Sequence, residues 1–240
     1  MSGTILAVRN LSKSFRGLKA ISNVSFEVQS GSIVGLIGPN GAGKSTFFNL
    51  VTGYFAPDAG AVLLDGRDIT ALAPVAIARL GVARAFQIAK PFPGMPVLEN
   101  VRIGALFGRH GPRAVDAVTR DALALTGLSE LQHQEASALT VGQLRRLEIA
   151  RALAARPSLL LADEPCAGLN PTETDEMISI LRRIRAAGAT IMLVEHDMRA
   201  VMDVSDDVLV LEAGELIAQG PPHEITRNPR VITAYLGEDE

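Results

Sequence analysis

The nine residues Gly38-Pro39-Asn40-Gly41-Ala42-Gly43-Lys44-Ser45-Thr46 carry the most specific chemistry in the sequence. Their spacing, Gly-x4-Gly-Lys-Ser, is the P-loop pattern. An apolar run at 33–37 precedes it and predicts a buried strand, and residues 46–50 predict a helix start. Strand, loop and helix in that order are the context the pattern needs. Glycines let successive backbone N–H groups point into one concavity, and the helix N-terminus adds the positive end of its dipole. Such a cradle holds a polyphosphate. Lys44 is expected to reach the terminal phosphates, and the Ser45 hydroxyl to ligate Mg²⁺.

A second chemical group lies at 158–164, Ser-Leu-Leu-Leu-Ala-Asp-Glu, an apolar strand ending in two carboxylates. A strand end beside a P-loop is where Mg²⁺ must be held, a role for Asp163. Glu164 is then placed to orient and polarise the water that attacks the γ-phosphorus. A third group spans 139–146, Leu-Thr-Val-Gly-Gln-Leu-Arg-Arg. Thr140 and Gln143 form a capping box, with Leu139 and Leu144 as its hydrophobic staple, so this is a well-made helix start. A helix N-terminus carrying a hydroxyl and a glycine is also a second phosphate-binding surface. Either the segment is a helix start and nothing more, or, if both phosphate surfaces are used, the second is supplied by another copy.

The elements that position these groups follow from pattern. Segments 4–9 and 24–28 alternate and predict antiparallel strands. Gly53 stops the P-loop helix, 57–60 is a turn, 61–66 is strand-like and 74–80 is a short helix. A Pro/Gly-rich loop at 91–96 leads into helical stretches at 97–107 and 113–126, which predict a mostly helical insertion. Strands return at 158–163 and 190–194 as continuous apolar runs, as parallel strands covered on both faces should be. Between them a helix over 171–187 begins at Asn170, a natural N-cap followed by Pro171. Its acidic start and arginine-rich end complement the helix dipole. Segments 208–211 and 215–218 predict a hairpin around Ala213-Gly214, and a short helical tail follows Pro221-Pro222.

The chain has 240 residues, 48% of them hydrophobic, and a net charge of −3. That balance gives no electrostatic reason to expect nucleic acid as a partner. No apolar run comes near the roughly 18 residues a membrane span needs. The N-terminal stretch lacks the basic-then-apolar order of a signal peptide. Cys166 stands alone, which fits a reducing compartment and a packed rather than reactive thiol. The expectation is a cytoplasmic protein that meets any membrane through a partner. His110, His133 and His223 fall in polar stretches and carry no functional expectation.

The P-loop, the segment around Gln87, Leu-Thr-Val-Gly-Gln at 139–143 and Leu-Ala-Asp-Glu-Pro at 161–165 together resemble the nucleotide-binding subunit of an ATP-binding cassette (ABC) transporter. The resemblance covers essentially the whole chain. It implies an α/β fold: a P-loop NTPase (RecA-like) core with an N-terminal antiparallel β-subdomain and an inserted α-helical subdomain. The division it implies is core at 1–87 and 156–220, helical subdomain at 88–155 and tail at 221–240. It further implies that Phe15 stacks on adenine, with residues 38–46 holding the phosphates of ATP. Gln87 would touch Mg²⁺ or water where the membrane subunit docks. Thr140, Gly142 and Gln143 would close over the partner chain's ATP, residues 167–170 would form the D-loop, and His196 would contact the γ-phosphate. The catalytic set is therefore Glu164, His196 and Gln87, and the metal set Ser45, Gln87 and Asp163.

Two positions depart from the family pattern. Thr140 replaces the usual serine and keeps the hydroxyl; Asn170 replaces the usual aspartate and loses the charge. Segments 146–153, 168–174, 195–198 and 228–238 resemble the branch serving branched-chain amino-acid importers. Neighbouring branches import urea and short amides or export lipopolysaccharide; non-transport ABC ATPases are the remaining alternative. The implied partners are two membrane-spanning permease subunits, a second ATPase subunit and, indirectly, a substrate-binding protein. The loop at 88–101 offers Phe92, Met95 and Val97 either as a docking surface or as inward-packing residues.

Overall fold

The computed structural model describes residues 3–87 and 90–236. Chain order starts with an antiparallel pair, β1 (Thr4–Phe15) and β2 (Leu18–Gln29). Both strands run further than the alternating pattern predicts. The pairing register shifts between Val8 and Leu11, where Asn10 and Asn23 take positive φ and their side chains join at 2.9 Å. A bulge of this kind hides the continuing strand from a period-two reading. Next come β3 (Ile33–Ile37), α1 (Lys44–Val51), β4 (Ala59–Leu64) and β5 (Arg67–Asp68). Strands β2-β1-β4-β5 form one antiparallel sheet.

The chain continues through α2 (Pro74–Leu80) and β6 (Val82–Ala85) to α3 (Val97–Leu106), α4 (Val115–Thr126) and α5 (Val141–Ala154). It closes with β7 (Leu159–Asp163), α6 (Pro171–Ala186), β8 (Thr190–Val194), α7 (Met198–Val204), β9 (Asp207–Glu212), β10 (Glu215–Gly220), α8 (Pro222–Ile225) and α9 (Pro229–Leu236). The second sheet has the order β10-β9-β3-β8-β7-β6, with β10 as its antiparallel edge and every other pairing parallel.

Alternation along the central strands splits the core into two layers. Ile33, Ile37, Leu160, Ile191, Leu193, Val208 and Val210 face a cluster built largely from α3 to α7. Val34, Leu36, Leu159, Leu161, Met192, Val194, Leu209 and Leu211 face the antiparallel sheet and α1. Phe47 and Phe48 of α1 are fully buried between the two sheets, and Phe47 meets Phe26 of β2 at 5.3 Å. Each such ring contributes about 2–3 kcal/mol of apolar burial. That packing fixes α1, and with it the loop that starts it.

Parallel order has a direct consequence for chemistry. It brings the carboxyl ends of β3, β8, β7 and β6 to one edge, where ligands of open α/β sheets bind. Residues 38–46, His196, Asp163 with Glu164, and Gln87 leave the sheet at those ends.

Helix α6 begins as predicted. Asn170 Oδ1 accepts from Glu173 N at 3.0 Å, and Glu173 Oε2 accepts from Asn170 N at 3.1 Å. Asn170→Ala should lower the urea midpoint by the equivalent of about 1 kcal/mol, whereas Asn170→Asp, which keeps the acceptor, should leave it unchanged. Equal midpoints for the alanine variant and the parent would show that the cap contributes nothing.

Candidate active site

The loop after β3 is shaped by its glycines. Gly38 has φ +151° and Gly43 φ +105°; a Cβ on the first would run into the Leu211 carbonyl, on the second into the Ala20 carbonyl. Only glycine lets the backbone pass so close to its neighbours. The first N–H groups of α1, from Lys44 onward, have no carbonyl one turn back and are free for an anion. A cleft of about 880 Å³ opens here, lined by Phe15, Leu18, residues 39–46, Glu164 and His196.

Lys44 is buried at 7% exposure, and its Nζ donates to Gly38 O at 2.6 Å and Pro39 O at 3.0 Å. The ammonium thus sits inside the curl of the loop. Burial lowers its pKa below the ordinary lysine value, and the charge of Glu164 opposes the shift. Ser45 is exposed in the same cleft. Phe15 is 38% exposed and packs edge-on against Phe55 at 5.1 Å, with Lys13 Nζ 5.5 Å from its ring.

Glu164 is where the catalytic candidates meet. Its Oε2 accepts from Gln87 Nε2 at 2.6 Å, and its Oε1 lies 3.2 Å from His196 Nε2. Its backbone takes φ +51°, a left-handed conformation that costs energy for a non-glycine residue and recurs at functional sites. The N–H still donates to Val194 O at 2.8 Å, so the strained residue stays tied to β8. Gln87 therefore holds Glu164 rather than facing the loop directly.

Asp163 stands at the buried end of β7 with 7% exposure. Its Oδ2 is taken by Arg84 Nη2 at 2.5 Å. The Ser45 hydroxyl lines the cleft at the P-loop, and Asp163 lines a second one with Arg84 and Gln87; each is a hard oxygen donor. Among the described residues no group of three or more His, Cys, Asp or Glu side chains could hold a metal. One hydroxyl and one carboxylate suit Mg²⁺, which draws its remaining ligands from phosphate and water. The donor set fits the ion.

Thr140, Gly142 and Gln143 do not line the cleft. Thr140 Oγ1 accepts from Gln143 N at 3.3 Å, and Gln143 Oε1 accepts from Thr140 N at 2.9 Å, the predicted capping box. Gly142 abuts the Glu173 carboxylate, where a Cβ would approach Oε1 to 2.8 Å. This helix start belongs to a separate face.

Three residues that sequence reasoning passed over support these groups. Arg84 holds Asp163. Asn100, fully buried, accepts from Phe92 N at 2.8 Å and donates to the carbonyls of Phe92, Met95 and Pro96, fixing the loop before α3. Glu195 is 4% exposed and accepts from Cys166 N at 2.5 Å and His196 N at 3.1 Å, binding the turn after Glu164 to the segment that carries His196. Burial pushes its pKa up, against the pull of the N–H groups of Cys166, His196 and Asp197. Arg84 interrupts the apolar run at 82–86, and that interruption was the available signal; Asn100 and Glu195 stand beside other polar residues and carry none.

In the loop before α3, the second of the two readings holds for Val97: as the first residue of α3 it packs inward and is buried in the helical layer. Met95 is half-buried, and Phe92 stays exposed with Arg151 5.3 Å from its ring. The part of this loop at Ile88 and Ala89 lies outside the described residues.

Cys166 is buried, and its thiol pKa is raised by desolvation and then by the charge of Glu195. Iodoacetamide at pH 8 should therefore label it only as fast as the protein unfolds, and at once in urea. Rapid labelling of the native protein would contradict that packing.

A family model described as ABC transporter matches residues 21–167, well over half of the chain. The chain belongs to the ABC transporter family. It is an ATPase of that family, and the fold is that of the ATP-binding cassette. A second model, for the branched-chain amino acid ATP-binding cassette transporter, matches residues 215–240. The high-affinity branched-chain amino acid transport ATP-binding protein BraF of Pseudomonas aeruginosa is 41% identical, over 99% of this chain and 100% of its own length. LivG of Escherichia coli K12, with the same description, is 42% identical over 99% of this chain and all of its own. Among solved structures, a nucleotide-free cassette and an ADP-bound cassette from ABC transporters each superpose with TM-score 0.88 at 32% identity, over 99% of this chain and 100% of theirs. Among the described residues no helix is long and apolar enough to cross a membrane.

Proposed function

We propose that this chain is the ATP-hydrolysing subunit of a membrane importer for branched-chain or related amino acids. The observation that carries the reading is full-length likeness to BraF and LivG, joined by the tail match over 215–240. The test is uptake of radiolabelled leucine in cells lacking this subunit. Uptake should fall to background and return with the parent gene but not with Glu164→Gln. Undiminished leucine uptake in the deletion would overturn the reading.

In the proposed mechanism Phe15 stacks on adenine, and the N–H groups and side chains of residues 38–46 bind the phosphates. Lys44 swings its ammonium from the Gly38 and Pro39 carbonyls onto the terminal phosphates. Ser45 and Asp163, with Gln87, would hold Mg²⁺, which when bound would supply charge neutralisation at the phosphates. Glu164 orients the attacking water and accepts its proton, while Gln87 and His196 fix the two carboxylate oxygens. With Thr140, Gly142 and Gln143 on a separate face, the site is half complete. The helix start they form closes over the ATP of a second ATPase subunit, and the partner's closes over this one.

The subunit works on the cytoplasmic face of the membrane, held there by two permease subunits that a substrate-binding protein feeds. For the permease contact, exposed Phe107, Tyr54 and Phe86 line a cleft together with Gly104 and Ala155. Exposed apolar surface of this kind marks a docking site. The division into core at 1–87 and 156–220, helical part at 88–155 and tail at 221–240 is part of the same proposal.

A further inference from the structure

The Arg84–Asp163 pair has both side chains at 8% exposure. Burying two opposite charges is expensive, and such a pair adds little to stability compared with an apolar one. Its geometry is nonetheless over-determined. Arg84 Nη2 donates to Asp163 Oδ2, while Nη1 donates to Asn49 Oδ1 on α1 at 2.7 Å. The guanidinium carbon lies 4.8 Å from the Phe86 ring and 5.5 Å from that of Phe48. One side chain thus ties together the P-loop helix, the carboxylate at the end of β7 and the residue just before Gln87.

We infer that Arg84 is a positioning residue for the metal-holding carboxylate: it clamps one oxygen of Asp163 so that Oδ1 is presented to Mg²⁺ or its water. The inference rests on the assignment of Asp163 to Mg²⁺. A carboxylate held on one oxygen by a fixed guanidinium keeps a single orientation. The planar fork matters: it holds Asn49 and Asp163 through two separate nitrogens at a fixed spacing, which the single ammonium of a lysine does not provide.

The test is the affinity of the full chain for a fluorescent ATP analogue, measured across a Mg²⁺ titration and again in EDTA. Arg84→Gln should raise the Mg²⁺ concentration for half-effect by about tenfold or more, the usual cost of losing a partner that orients a ligand. Affinity in EDTA should stay at the parent value. Arg84→Lys, which keeps the charge, should recover part of the shift. Asn49→Ala leaves the ion pair and removes only its anchor, so it should move the Mg²⁺ requirement the same way by less; it carries the test if Arg84→Gln does not fold. Parent-like Mg²⁺ dependence in the folded variants would overturn the inference, as would an equal loss of affinity with and without Mg²⁺. Asp163→Asn with unchanged Mg²⁺ dependence would instead remove the metal assignment underneath.

Discussion

Glu164→Gln should bind ATP as tightly as the parent and hydrolyse it about 10²–10⁴-fold more slowly, the span expected when a general base is removed. The substitution is nearly isosteric. The amide oxygen can still accept from Gln87 Nε2, now 2.6 Å from Glu164 Oε2, so the site keeps its shape. What is lost is the proton acceptor. Because hydrolysis resets the proposed pair, the variant should accumulate as an ATP-bound dimer of cassettes. Turnover is measured as phosphate release, and association by sedimentation with ATP and with ADP. Parent-like turnover would remove Glu164 from the mechanism and pass the role to another group in the cleft, His196 being nearest at 3.2 Å.

Lys44→Ala should lower ATP affinity by two orders of magnitude or more, about 3 kcal/mol, since charge-assisted contacts to phosphate are lost. The fold should survive, because Lys44 bonds only the loop carbonyls of Gly38 and Pro39. A thermal scan separates loss of binding from loss of structure. There is a pH consequence as well. Burial lowers the Lys44 pKa in the ATP-free protein, so the ammonium loses its proton at a lower pH than an ordinary lysine. ATP affinity should fall as pH rises through that value, and the fall should vanish in Lys44→Ala. Equal affinity for parent and variant by isothermal titration would sink the role of the loop.

What was legible in the sequence is what sits at strand ends. Residues 38–46, Asp163, Glu164 and His196 each follow or end an apolar run, and parallel pairing carries every such end to one edge. The capping boxes at Thr140 and Asn170 were legible too, because both partners lie three residues apart. Long-range polar contacts were not. Arg84 and Asp163 are 79 residues apart and Cys166 and Glu195 are 29 apart, and no local pattern pairs them. The extension of β1 past Asn10 escaped because a bulge breaks the alternation. The sequence left Val97 open between docking and inward packing, because a residue at a helix start is not placed until the helix it faces is; it packs inward.

The claim on which the rest depends is that the helix start at Thr140 completes a nucleotide site on another cassette. The direct test is disulfide cross-linking in the assembled transporter. Cysteine is placed at Thr140 here and in the glycine-rich loop of the facing ATPase subunit, with buried Cys166 left in place. An inter-subunit cross-link should form with ATP under conditions that block turnover and be absent without nucleotide. No cross-link with ATP, or the same yield without it, would contradict the shared site.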